Sequence, residues 1–284
     1  MNEPQRERTA TVGARRVLSR KRSVFADSLA VVRATVRALV HQRFLLRVIV
    51  GVLLMFVTLL ITWRIVGPRP RSTERTFSRP TLVGVRLLFT LCLQHIVASW
   101  LFDRWSGEQV ARVLRLWQRL VRRLPAFVLC SALLGWMDHA TGGLNAVTAL
   151  RAAAAFGFSY LLSYVVPAAA ANRCGMVAGF VHTVRAFRRT FGADMFAWSG
   201  MWVVNAAVSL LAALPEALDL YSPKDGGMGS RLFGSLVVLP TGMAAAAIGA
   251  GFCTVIFFAL ETNRAPVGYP KPAVETISGL QLDE

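Results

Sequence analysis

Apolar residues in this chain gather into long runs, and short arginine-rich stretches separate the runs. A bilayer core of roughly 30 Å takes about 20 helical residues to cross. Six segments approach that length, at about 44–63, 81–102, 124–140, 152–171, 195–214 and 232–260. The fourth, AAAAFGFSYLLSYVVPAAAA, carries no charge, and neither does the fifth, from Met195 to Leu214. The last contains Pro240–Gly242, where a span of that length can tilt or break.

A second periodicity lies between the runs. In RVLRLWQRLVRR, residues 112–123, Val113, Leu114, Trp117 and Val121 recur at helical steps with Arg112, Arg115, Arg119 and Arg122 between them. Phe25, Leu29, Val32, Val36 and Leu39 do the same ahead of the first run, with Arg33 and Arg37 opposite. Val177, Phe180, Val181 and Val184 do so ahead of the fifth, with Arg185, Arg188 and Arg189 opposite. These stretches predict interfacial helices at about 24–43, 104–123 and 176–190. Such helices lie in the headgroup layer with arginines on anionic lipid. Each leads into two apolar runs, so the pattern predicts three repeats of interfacial helix plus transmembrane hairpin. The expected fold class is all-α: a polytopic transmembrane bundle of about six spans within residues 24–260.

Charge sets the expected orientation. Residues 1–47 hold eleven Lys/Arg, 103–123 hold six and 172–194 hold four. The connections between them hold fewer, except residues 64–80, which hold five arginines and break the alternation. Positively charged loops stay on the cytoplasmic or matrix side, which places both termini there. The chain is 55% hydrophobic yet carries a net charge of +17. A soluble domain would be less apolar, and a nucleic-acid-binding one more polar, so no nucleic-acid partner is expected. Cys92, Cys130, Cys174 and Cys253 are scattered in or beside apolar runs, which predicts free thiols.

Three motifs in the second half carry a family resemblance: FGFSYLLSYVVP (Phe156–Pro167), VRAFRRTFG (Val184–Gly192) and a run ending LAALP (Leu211–Pro215). In this arrangement the chain resembles uncharacterised bacterial and archaeal six-span integral membrane proteins. That family is loosely related to the membrane domain found beside some glycerophosphodiester phosphodiesterases. The resemblance implies a six-span helical membrane protein and no activity of its own. The chain departs from the pattern at Phe191, where family members usually carry tryptophan, and in its alanines after Val166–Pro167.

Little in the sequence points to catalysis. The four histidines are far apart, and the HExxH, CxxC, GxSxG and phosphate-loop spacings are absent. No catalytic residue, metal or cofactor is expected. Asp103 and Glu108 sit near the start of the second interfacial helix, where they complement its dipole. Two ionisable groups fall inside an apolar run. Arg86 either snorkels to the near headgroup layer or serves function, and His95 either bonds a neighbouring helix or serves a relay. Pro167 and Pro240 occupy corresponding places in two units and read as local kinks or as a transporter's broken helices. Residues 1–23 read as a basic polar tail and 261–284 as an extended one. The expected function is a non-catalytic accessory subunit of a larger membrane complex, binding anionic lipid such as cardiolipin. The expected partners are therefore membrane lipids and other membrane subunits. The alternative is a small-solute or lipid transporter. The expected location is the bacterial cytoplasmic membrane or the mitochondrial inner membrane.

Overall fold

A computed structural model of the chain describes residues 24–66, 75–107, 113–139, 146–190, 201, 203–208, 210–211 and 237–283. Among them the chain is mostly helical and forms no strand. The helices are α1 (Val24–His41), α2 (Arg43–Val66), α3 (Arg75–Trp105) and α4 (Val113–His139). They continue with α5 (Ala146–Ala171), α6 (Met176–Thr190), α7 (Leu239–Thr262) and α8 (Lys271–Ser278). Residues 203–208 are also helical.

Among the described residues, three stretches are long and apolar enough to cross a bilayer: Gly84–Trp105 in α3, Arg115–Met137 in α4 and Pro240–Thr262 in α7. The bent pair α1–α2 makes a fourth if it counts as one span. The chain is an all-α integral membrane protein. The basic tail 1–23 and the arginine-rich connection 67–74 lie outside the described residues, as does most of the expected span 195–214.

α3 is the central helix and touches α2, α4, α5 and α7. Its fit for that place is visible in its sequence, because residues 93–103 are buried on every side. Leu93, Ile96, Val97 and Leu101 join Leu45 and Phe56 of α2, Phe127 of α4 and Met243 of α7 in one apolar cluster. Phe44 stacks on Trp100 with ring centroids 4.4 Å apart. Burial of such side chains contributes roughly 25 cal/mol per Å² only where the alternative is water. Within hydrocarbon, close contact and hydrogen bonding do more of the holding.

Close contact needs small residues, and glycines mark the tightest crossings. A Cβ on Gly179 of α6 would stand 2.6 Å from the Ala169 Cβ and 3.0 Å from the Val165 carbonyl oxygen of α5. A Cβ on Gly251 of α7 would stand 2.5 Å from the Thr35 Cγ2 of α1.

The structure corrects two expectations. The interfacial helix expected at 104–123 and the span at 124–140 are one continuous helix, α4, with Pro125 inside it. The middle unit therefore lacks the helix break found at Gln42, where α1 and α2 meet at 89°. The extended tail expected at 261–284 is instead a folded cap. Gly268 turns the chain at φ +89, and α8 then buries Ala273, Val274 and Ile277. These side chains join Val31, Val32, Phe252 and Tyr269 in a second apolar cluster, which the prolines alone could not foretell. Pro240 follows closely on Val237 and Val238, which are π-helical, and the expected span upstream of residue 237 lies outside the described residues. α6 matches its expected bounds.

Candidate functional site

Arginine reaches the interior at one end of the bundle, where α3, α5 and α7 finish and α2 and α4 begin. α4 decides how. The apolar stripe expected to face lipid points outward, with Trp117 50% and Val121 61% exposed. The opposite face, with Leu116, Leu120 and Phe127, meets α3 and carries Arg119 and Arg123 inward.

Arg123 holds three partners. Its Nη2 donates to the carbonyls of Ala169 at 2.8 Å and Cys174 at 2.7 Å, and Nη1 approaches His95 Nδ1 at 3.1 Å. Guanidinium only donates, so Nδ1 accepts and the proton of the neutral ring sits on Nε2. That buried Nε2 has no partner among the described residues. The ring edge meets Phe127 with centroids 5.9 Å apart.

The carbonyls that Arg123 takes belong to the end of α5. A helix leaves its last four carbonyls without intrahelical donors. Here Arg173 adopts a left-handed φ of 50, and the backbone N–H groups of Arg173 and Cys174 turn back to Ala170 and Ala169. This is a Schellman ending, and Arg123 completes it with positive charge at the negative pole of the helix. Burial pushes the Cys174 thiol up from its ordinary value, against a downward pull from Arg123. The thiol is protonated and weakly reactive.

One turn of α3 beyond Ser99, Asp103 is buried with its side chain 3% exposed. Arg119 reaches it at 2.9 Å and Arg173 at 3.2 Å. Asp103 therefore ties α3, α4 and the α5 ending together. It does not serve as the dipole partner expected from its place before RVLRLWQRLVRR. Glu108 lies outside the described residues.

The two prolines are not equivalent. Pro167 lies inside α5 and lacks the N–H that would bond the Ser163 carbonyl. Cys253 of α7 points its Sγ at that oxygen, 3.6 Å away. A neighbouring helix thus supplies a donor to the oxygen that Pro167 cannot serve, whereas Pro240 follows the π-helical residues 237–238.

The remaining sequence-predicted residues divide by place. Arg33, Arg37, Arg115, Arg122, Arg185 and Arg188 are exposed. Arg119 is not available to headgroups in the way expected, because Asp103 holds it. Arg112 and the Arg189 side chain lie outside the described residues. Arg86 sits near the start of the α3 span, with its Nη2 only 3.1 Å from where a Gly242 Cβ would be. Sequence reasoning missed Arg123 and Arg173 and gave Asp103 another role; one helical turn separates His95, Ser99 and Asp103 in succession, a polar ridge that could have shown this face.

A groove of about 1010 Å³ opens at the same end, between α1, the close of α3 and the C-terminal segment. Arg33, Arg37, His41, Gln42 and Arg104 line it with Trp105 and Tyr269. The Tyr269 hydroxyl lies 3.3 Å from Thr35 Oγ1, and burial pushes its phenol up, so it stays neutral. Among the described residues, no group of His, Cys, Asp and Glu has a metal-binding arrangement. No family model matches the chain, and no curated protein or solved structure shows a match to it.

Proposed function

We propose that this chain is a non-catalytic accessory subunit of a larger membrane complex, six spans long, that holds anionic lipid at its arginine-rich end. One observation supports this most. The arginines that reach inward, Arg119 and Arg123, are engaged in ties between helices, while Arg33, Arg37, Arg115, Arg122, Arg185 and Arg188 stand exposed. Inward charge thus fastens the bundle, and outward charge addresses the headgroup layer on the cytoplasmic or matrix side. The outward stripe of α4, through Trp117, Val121, Leu129 and Trp136, suits hydrocarbon or another subunit's helix.

The test is gentle extraction from the native membrane, native-gel migration and mass spectrometry of the band. We expect migration with other subunits and retention of anionic over zwitterionic lipid. A monomer with no partner and no lipid preference overturns the reading.

A further inference from the structure

We propose that the groove between α1, α3 and the C-terminal segment binds a phosphate group, an inference that rests on the anionic-lipid reading and narrows it to one place. The groove is built by register on α1. Ala30, Ala34 and Ala38, four residues apart, give a floor of small side chains, and Arg33, Arg37 and His41 form the adjoining rim at the same spacing. Larger residues at the alanine positions would fill the space.

The far wall comes from α3. Arg104 projects there and is held by Gln42, with Nη1 to Oε1 at 2.9 Å. That bond uses one edge of the guanidinium and leaves other N–H groups for a ligand. Trp105 and Tyr269 close the end in an edge-to-face contact with centroids 5.3 Å apart. Among the described residues, three guanidinium groups and an imidazole line the groove without any carboxylate.

Three positive groups in one concavity repel each other unless an anion joins them, and guanidinium matches phosphate oxygens two at a time. The volume suits a ligand of headgroup size. Val36 and Val40, exposed beside the arginine rim, offer an apolar path for an acyl chain. A phosphate on a lipid and a free phosphate share the recognising chemistry, and the experiment separates them.

The full chain in neutral detergent is titrated with dioctanoyl phosphatidic acid, dioctanoyl phosphatidylcholine or inorganic phosphate. Native mass spectrometry reads stoichiometry, and the melting temperature reads affinity. One phosphatidic acid should bind, with phosphatidylcholine much weaker. Arg33→Gln, Arg37→Gln and Arg104→Gln should each weaken binding about tenfold, the effect of losing one charge-assisted contact. Arg264→Gln, exposed and outside the groove, should change nothing. Inorganic phosphate binding as tightly as the lipid supports the site with a soluble ligand, and weaker phosphate binding supports the lipid. Equal binding of both lipids by the unaltered chain overturns the general reading and the groove with it. A preference that survives the groove variants and vanishes in Arg115→Gln or Arg122→Gln on α4 overturns the groove alone. If a glutamine variant does not fold, the lysine variant at that position is read, and unaltered affinity in all three lysine variants overturns guanidinium–phosphate recognition.

Discussion

Arg123 and His95, 28 positions apart in the chain, meet at 3.1 Å where α4 crosses α3. The same guanidinium takes two carbonyls at the end of α5, so one side chain links three helices. Arg123→Gln leaves those acceptors buried and should destabilise the fold by about 3 kcal/mol, the loss of charge-assisted bonds. Arg123→Lys, a point charge that cannot fork, should retain only part of the stability. Arg122→Gln, one residue away and exposed, should stay within about 0.5 kcal/mol. Reversible unfolding in mixed micelles measures all three, and equal effects at 122 and 123 would contradict the geometry.

Asp103 answers two arginines with one carboxylate. Asp103→Asn removes the counter-charge and leaves Arg119 and Arg173 facing each other, which should cost about 3 kcal/mol. Arg173→Gln should cost less than about 1 kcal/mol, because that side chain is 41% exposed and the Arg119 pair remains. Thermal melts of the two variants side by side decide the order.

Pro167 and Cys253 should be coupled. Cys253→Ala leaves the Ser163 carbonyl without its donor from α7 in the presence of Pro167. Pro167→Ala restores an N–H to that carbonyl within α5. The double variant should therefore be more stable than the two single changes summed, by about 0.5–1 kcal/mol. Additive effects in a double-mutant cycle would show that the thiol does not serve this oxygen.

Two glycines should respond oppositely to alanine. Gly179→Ala drives a methyl against the Ala169 Cβ and should cost about 1–3 kcal/mol, since backbone must shift. Gly51→Ala meets nothing within 4 Å and should stabilise α2 by about 0.5–1 kcal/mol. Unfolding midpoints of the pair test whether α5 and α6 cross as closely as described.

The apolar runs announced α3, α5 and α7 because hydrocarbon selects for length and composition together. The inward face of α4 was not legible in the same way. In water, an apolar stripe at helical period marks the side that meets the protein. In lipid, Trp117 and Val121 are satisfied outside, and the bundle interior can hold Arg119 and Arg123 where Asp103 and helix carbonyls await them. The stripe was read toward lipid and does face outward; what the pattern hid is that Arg119 and Arg123, on another face, turn inward. The cap at 267–283 escaped for another reason. Val274, Ile277 and Tyr269 are too few to advertise a helix from their own segment, and α1 supplies the surface that makes their burial worthwhile. His95 was read as a bond to a neighbouring helix or a relay, and Arg123 supplies the bond.

The 89° turn at Gln42 has a mechanical meaning. If α2 stands along the bilayer normal, α1 is a crossbar in the membrane plane, fastened to α7 at Thr35 and Gly251. A piston movement of α2 by a single residue, about 1.5 Å, would drag Arg33 and Arg37 with it toward oil or toward water. In that orientation the crossbar would set the depth of this end of the protein, and changes in membrane thickness would fall on the opposite end.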